Sequence, residues 1–199
     1  MTKGRLEAFT DAVIAIVMTI MVLDLRPPAG HGFGDLVHAH VFPRVLVYAL
    51  SFTFLAIYWN NHHHLMHVVE RIDGRVLWAN MGLLFALSLT PAATAWWGGH
   101  TGSTAPVVVY GLVLLLSAIA YFLLTRALLA LHPPGSRLAV AIGSDRKGRL
   151  SAIAYVVGIA VAFLEPWISV AIYVGVAVVW LVPDSRITRV IQGGDGFGP

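Results

Sequence analysis

Two sets of polar side chains interrupt otherwise apolar stretches of this sequence and could do chemistry. Asp11 lies inside an apolar stretch near the start of the chain, and His62, His63, His64 and His67 lie at the end of a second one. Carboxylate and imidazole groups can bind a metal ion, transfer a proton, or hold helices together by hydrogen bonds. The chain has no cysteine, so any metal site would have to use histidine and acidic side chains.

The spacing of the histidines favours the structural use over the other two. Successive residues of a helix point about 100° apart, so only side chains three or four positions apart share a face. The pairs that meet this condition are His63 with His67 and His64 with His67, and there is no His-Glu-x-x-His motif. We therefore interpret the cluster first as a clamp between helices, and we keep a proton relay and a metal site as alternatives.

The composition shows what kind of element must position these groups. Only 12% of the 199 residues are charged and 58% are hydrophobic, with a mean hydropathy of +0.78. A soluble domain of this length needs about twice that charged fraction to cover its surface. The surface must therefore face lipid. The basic residues form no aromatic-laced stripe, which argues against a nucleic-acid partner.

The apolar runs predict an all-α membrane protein with six transmembrane helices in one domain, residues 1–183. A helix needs roughly 20 mostly apolar residues to cross the hydrocarbon core. The predicted spans are about 6–25, 44–66, 75–97, 105–131, 149–164 and 167–183. Pro91 should kink or break the third span, and Glu165-Pro166 should make a tight hairpin of the last two. Residues 184–199 form a Gly-rich tail that we expect to be cytoplasmic and partly disordered.

Loop charges predict the orientation of these spans. Six spans place both termini on one side, and basic residues favour the cytoplasmic side. The outer side would hold only Arg26 and Arg44. The basic residues assigned to the inner side are Lys3, Arg5, Arg71, Arg75, Arg126, Arg137, Arg146, Lys147, Arg149, Arg186 and Arg189. We therefore expect both termini in the cytoplasm.

This orientation brings Asp11 and its candidate partners to one depth. The end of the second span and the start of the third lie at the same cytoplasmic level as Asp11. An ionisable group inside a span is costly unless it is paired or faces water. We expect Asp11 to accept hydrogen bonds from histidine, asparagine or indole donors. The candidate donors are Trp59, Asn60, Asn61, His62, His63, His64, Trp78 and Asn80.

A stripe along the first span could line a pore. Ile16, Thr19, Ile20 and Leu23 recur at i, i+3, i+4 and i+7, although apolar periodicity in a membrane helix is also compatible with ordinary packing. Thr19 is the only hydroxyl in the middle of the span. Several copies around an axis would form apolar rings and one hydroxyl ring, a constriction that can gate by dewetting. No Thr-Val-Gly-Tyr-Gly loop is present, so helix side chains would have to select the ion, which predicts weak discrimination.

The first helix resembles a known channel family. Arg5-x-x-x-Phe9-Thr10-Asp11 is similar to the R-x-x-x-F-S-D signature of bacterial relatives of the lysosomal and endosomal transmembrane potassium channel. The matching positions that follow are Trp59-x-Asn61-His62-His63-x-Leu65, Asp73, Leu77-Trp78-x-Asn80 and Pro91. The resemblance covers residues 5–95 and reaches the last three spans only through hydropathy. Thr10 replaces the usual serine, and Met66 stands where an aromatic residue is common.

The resemblance implies a homotetramer in the bacterial plasma membrane that leaks potassium with modest selectivity and needs no cofactor. It implies that Ile16 is the innermost constriction, that Ile20 and Leu23 form further rings, and that Thr19 favours potassium. Other monovalent cations, and protons, would be further permeant ions. The residues implied in the network that holds the pore helices are Arg5, Phe9, Thr10, Asp11, Trp59, Asn61, His62, His63, Trp78 and Asn80.

Two functions of other classes remain as alternatives. The histidine cluster could serve an intramembrane metal-dependent hydrolase, and Asp11 could be the centre of a proton-coupled transporter. The sequence shows no inverted repeat or paired broken helices, which weighs against the transporter.

Overall fold

The chain folds into a bundle of helices. The computed structural model describes residues 2–28, 30–32, 34, 41–143 and 145–181, and none of these residues is in a β-strand. The α-helices of this part of the chain are α1 (Lys3–Ile20), α2 (Val41–His67), α3 (Gly74–Ser88), α4 (Thr90–Gly99), α5 (Thr104–Ala130), α6 (Arg137–Ile142), α7 (Arg146–Val161) and α8 (Pro166–Leu181). A 3₁₀ turn, Met21–Asp24, follows α1 directly.

Four helical segments are long and apolar enough to cross a membrane among the residues described. They are Lys3–Asp24, Val41–His67, Gly74–Gly99 and Thr104–Ala130. The third combines α3 and α4, which are separated at Leu89. Pro91 has no N–H to continue the ladder of helical hydrogen bonds, and the Leu89 N–H instead bonds to the Ala86 carbonyl three residues back. The predicted interruption of the third span at Pro91 is confirmed.

The last two predicted spans correspond to α7 and α8, which form a tight hairpin. Each of the two helices has 16 residues. At 1.5 Å per residue each helix is about 24 Å long, shorter than a typical hydrocarbon core. The hairpin packs closely because Gly158 has no side chain: a Cβ there would lie 2.6 Å from the Tyr173 ring. The Ser169 hydroxyl donates to the Gly158 carbonyl at 2.6 Å. Residues 182–199 lie outside the described part of the chain. They include the end of the last predicted span and the predicted tail 184–199 with Arg186 and Arg189.

Two apolar cores hold the bundle together. One joins α1 to α3, the end of α2, the end of α5 and α6, and it contains Leu6, Met66 and Leu128. The other joins α2 and α4 to the start of α5, α7 and α8. α1 contributes only one side to the first core, through Leu6, Thr10, Ile14 and Val17. Its opposite side contacts nothing else in the described part of the chain.

Candidate functional site

The predicted stripe of α1 lies on its uncovered side. Ile16 is 58% exposed, Ile20 43% and Leu23 76%, and Thr19 between them is also exposed. Ile14 and Val17, on the opposite side of the helix, are buried. The structure therefore gathers the four stripe residues on a face that is free for lipid, for water or for a second copy of the chain.

The first span differs from the prediction near its end. The sequence predicts one helix to about residue 25, whereas the α-helix ends at Ile20 and continues as the 3₁₀ turn. The following Arg26-Pro27-Pro28 cannot extend a helix. A 3₁₀-helix has about 3.0 residues per turn, so residues three apart lie directly above one another, and Leu23 lies above Ile20. In an α-helix, residues three apart would be offset by about 60° around the axis. The stripe keeps its direction although the helix type changes.

Thr19 presents oxygen lone pairs on this face. Its hydroxyl lies 2.9 Å from the Ala15 carbonyl oxygen and 3.0 Å from the Ile16 carbonyl oxygen, and it donates its proton to its own helix. A hydroxyl that has donated its one proton can still accept or coordinate through its lone pairs. The exposed oxygen is therefore suited to a cation.

A buried chain of hydrogen bonds joins α1, α2 and α3 one turn or more below the stripe. The Asn80 amide donates to the Thr10 hydroxyl at 2.8 Å, and the Asn80 carbonyl oxygen lies 3.0 Å from His62 Nε2. All three side chains are almost fully buried. An amide oxygen can only accept, so His62 carries its proton on Nε2 and donates it. The chain fixes one rotation of α1 against its two neighbours.

A second, more exposed contact holds Asp11. The Trp59 indole N–H donates to the Asp11 carboxylate at 2.9 Å. The Trp59 ring stacks on His63 with centroids 5.7 Å apart, and His63 meets His67 edge-on at 4.7 Å. The expectation that Asp11 accepts from an indole donor of the second span agrees with this geometry.

Other residues assigned to the network lie outside it. Arg5 is exposed and has no hydrogen bond or ion pair within the described ranges, and Trp78 is 79% exposed. Asn61 bonds to the Ile57 carbonyl of its own helix at 2.8 Å. Phe9 is exposed. Within one chain, the bonds from the first-helix signature to α2 and α3 run through Thr10 and Asp11. The part assigned to Arg5 in the network stays a prediction.

A further buried polar cluster was missed by the sequence reasoning. The Thr94 hydroxyl lies 2.7 Å from the Ser51 hydroxyl, which lies 3.0 Å from the Tyr110 hydroxyl. These residues join α2, α4 and α5 at the opposite end of the bundle. The signal was available as hydroxyls at Ser51 and Thr94 inside predicted spans, since polar groups in apolar surroundings need partners.

The described residues contain no group of three or more histidine or acidic side chains that could hold a metal ion. His63 and His67 do share a face, as their spacing predicts. Two imidazoles without a third protein ligand do not make the usual zinc site.

Comparison with known proteins gives the family. The family described as the endosomal/lysosomal potassium channel TMEM175 matches residues 5–91. A potassium channel of Chryseobacterium sp. (strain P1-3) is 47% identical over 192 residues, which cover 96% of this chain and 99% of that protein. The chain belongs to the TMEM175 potassium channel family.

Two further similarities agree with this assignment. A potassium channel of Streptomyces collinus is 34% identical over 125 residues, covering 60% of this chain and 61% of that protein. The crystal structure of a lysosomal potassium-selective channel TMEM175 homolog from Chamaesiphon minutus superimposes with a TM-score of 0.73 over 90% of this chain and 96% of that one, at 24% identity. At that identity the superposition shows the fold.

The TMEM175 assignment decides between the functional classes. The family and the similar proteins are channels and not enzymes. It gives the hydrolase and transporter alternatives no support. The matched residues 5–91 include all of α1 except its first two residues, and both hydrogen-bonded contacts between α1 and its neighbours. The chain is a multi-pass membrane protein of this family.

Proposed function

We propose that this TMEM175 member is a potassium-preferring cation leak channel whose pore is formed by the α1 helices of four identical subunits. The observation that carries the proposal is the exposed apolar stripe of α1 on the side opposite its hydrogen-bonded contacts. The buried bond between Asn80 and Thr10 fixes the rotation of α1. A pore-lining face needs a fixed rotation, because a turn of the helix would change the side chains in the ion path.

In this proposal permeation is controlled by apolar rings. Four copies of Ile16 form the narrowest ring, and Ile20 and Leu23 form wider rings beyond it. An apolar ring offers a cation no ligand to replace its water, so it slows every ion. The Thr19 oxygens, with their protons donated to Ala15 or Ile16, offer lone pairs to a potassium ion near the ring. One ring of hydroxyls replaces few waters, which is why selectivity should be weak.

We further propose that the subunit crosses the membrane six times within residues 1–183, with α7 and α8 as short spans. The positive-inside distribution then places both termini in the cytoplasm of a bacterial cell. Protons are included among the permeant ions because the human relative, 37% identical over 99 residues, is named an endosomal/lysosomal proton channel. That match covers 45% of this chain and 19% of the human protein.

Ion flux through Ile16→Ser tests the proposal. The purified protein is reconstituted into liposomes loaded with potassium, and the potassium efflux and reversal potential against sodium are measured. A small hydroxyl in place of isoleucine widens and wets the constriction, so we expect faster flux and a reversal potential closer to zero. The control is Ile153→Ser on α7, which makes the same change at an equally exposed isoleucine (60% against 58%).

Two outcomes would contradict the pore assignment. One is unchanged flux in Ile16→Ser. The other is an equal effect of Ile153→Ser, which would mean that a polar residue on any exposed face perturbs the bilayer or the fold.

A further inference from the structure

A cavity of about 210 Å³ lies away from α1, between α2, α5, α7 and α8. Its walls are mainly apolar and aromatic, and include Phe54 of α2, Ile119 of α5 and Ala152 of α7. None of the α1 stripe residues lines this cavity, and neither do the residues that make hydrogen bonds to α1. Asn61 does line it. The family resemblance assigns Asn61 to the network, but its side chain bonds within its own helix. The cavity therefore needs an explanation separate from the pore.

The cavity has a polar mouth and an apolar interior. Asp145, Arg149 and Asn61 line it at the end of the bundle where α7 begins and α2 finishes, the end that also holds the N-terminus. Tyr155 lies about 10 Å deeper along α7, from the helical rise between Gly148 and Tyr155. This depth suits an elongated apolar group whose polar end stays at the mouth.

Two tyrosine hydroxyls inside the cavity have no partner. Tyr155 is 3% exposed and Tyr58 is half-buried, and neither hydroxyl makes a hydrogen bond within the described ranges. Neither hydroxyl is sealed off by protein atoms, so each can donate to an acceptor that enters the cavity. An occupant with an apolar part and oxygen acceptors fits both the walls and these hydroxyls.

The lining of the mouth holds one acidic and one basic residue, Asp145 and Arg149, and further basic residues lie next to it. The first turn of α7 contains Arg146, Lys147 and Arg149, and Lys147 Nζ lies 4.6 Å from the centre of the Trp180 ring. Asp145 is the acidic residue of the lining, and its carboxylate accepts from the Gly148 N–H at 3.3 Å as the cap of α7. Burial raises the pKa of Asp145, while the Gly148 N–H and the nearby Arg149 counteract that rise. An anionic group fits this mouth better than a zwitterionic one.

We propose that the cavity binds an anionic phospholipid of the surrounding leaflet. Its acyl chain lies between Phe54, Ile119 and Ala152, its ester oxygens accept from the tyrosine hydroxyls, and its phosphate lies beside Arg149. A bilayer supplies such molecules at the level of the mouth, because α2, α5 and α7 all have helix ends there. The site is distinct from the ion path and does not depend on the channel proposal.

Native mass spectrometry of the full chain in detergent tests the site with two lipids of identical acyl chains, phosphatidylglycerol and phosphatidylcholine. We expect about one tightly held phosphatidylglycerol per subunit and weaker retention of phosphatidylcholine. Ala152→Trp fills the cavity and should abolish this retention. The matched control Ala160→Trp makes the same change on the exposed side of α7 and should leave it intact.

Arg149→Gln tests the charge contribution without filling the cavity. A basic residue near an anionic headgroup is expected to change the affinity about fivefold, so Arg149→Gln should weaken the binding of phosphatidylglycerol to that extent. The binding of phosphatidylcholine should weaken less, because its choline cation already offsets the charge of its phosphate. The control Arg75→Gln lies at the start of α3, outside the cavity. Gel filtration of each variant checks that it folds.

Three results would overturn the proposal. One is equal retention of the two lipids by the wild-type chain, and another is undiminished phosphatidylglycerol in Ala152→Trp. The third is a change of subunit number in Ala152→Trp, which would identify the occupant as a second copy of the chain. The mass spectrometry measures lipid retention and not ion flux. Failure of the lipid site and failure of the channel proposal would therefore be seen in separate experiments.

Discussion

At the scale of single residues, Asn80 is the centre of the contact that orients α1. It donates to Thr10 and accepts from His62, and so connects three helices through one side chain. Because the Asn80 amide donates at one end and accepts at the other, position 10 needs a hydroxyl to accept from it. Threonine provides this hydroxyl just as the serine of the family signature would. His62 is held with its proton on Nε2, so it acts in this contact as a donor.

Asn80→Leu should destabilise the protein. The substitution leaves the Thr10 hydroxyl and the His62 N–H buried without a partner, and each such group costs about 1–3 kcal/mol. A fall of several degrees in the unfolding temperature in detergent is expected. Asn60→Leu is the control, because Asn60 is exposed on α2. Equal unfolding temperatures for Asn80→Leu and the wild type would show that the contact does not stabilise the fold.

Thr19→Val should reduce the preference for potassium over sodium while flux persists. Valine keeps the shape and removes the oxygen that the back-bonded hydroxyl exposes, whereas Thr19→Ser keeps that oxygen and should keep the preference. Thr53→Val on α2 is the matched control, since the Thr53 hydroxyl bonds back to the Ala49 carbonyl at 2.8 Å in the same way. Reversal potentials in reconstituted vesicles provide the measurement. If Thr19→Val keeps the wild-type value, selection arises elsewhere.

At the scale of helices, the α7–α8 hairpin depends on a close approach at one glycine. Gly158→Ala should lower the unfolding temperature, because the added Cβ would lie 2.6 Å from the Tyr173 ring, which is fully buried and cannot move away. Overpacking of this kind costs about 1–3 kcal/mol. Gly175→Ala, on α8 of the same hairpin, meets nothing within 4 Å and serves as control. An equal or larger loss for Gly175→Ala would contradict the packing explanation, because that substitution meets no atom and alanine favours a helix over glycine.

The helices themselves could be predicted from the sequence, while most contacts between them could not. Hydropathy and Pro91 were enough for the four long spans and the break at Leu89. The pairing of Thr10 with Asn80, and of Thr94 with Ser51, depends on how each helix is rotated. In a membrane every face is apolar, so the sequence pattern carries little information on rotation. Asp11 was the exception, because a lone carboxylate in an apolar span demands a donor at its own depth.

At the scale of the whole molecule, one chain cannot by itself enclose an ion path along the stripe. The uncovered side of α1 contacts no other described element, and the remaining helices lie behind α1. Closed symmetry around that side would bury the stripe and make one continuous path. The two apolar cores and the cavity between α2, α5, α7 and α8 would then lie outside the pore.

Cysteine cross-linking tests this assembly cleanly because the natural chain has no cysteine. In a tetramer with α1 at its centre, Leu23→Cys places four thiols around the axis, and mild oxidation should link subunits in pairs. Disulfides form only where Cβ atoms approach to about 4 Å. Leu164→Cys, in the α7–α8 turn and 85% exposed against 76% for Leu23, should stay monomeric on a denaturing gel. Cross-linking at position 164 without cross-linking at position 23 would place the hairpin and not α1 at the axis.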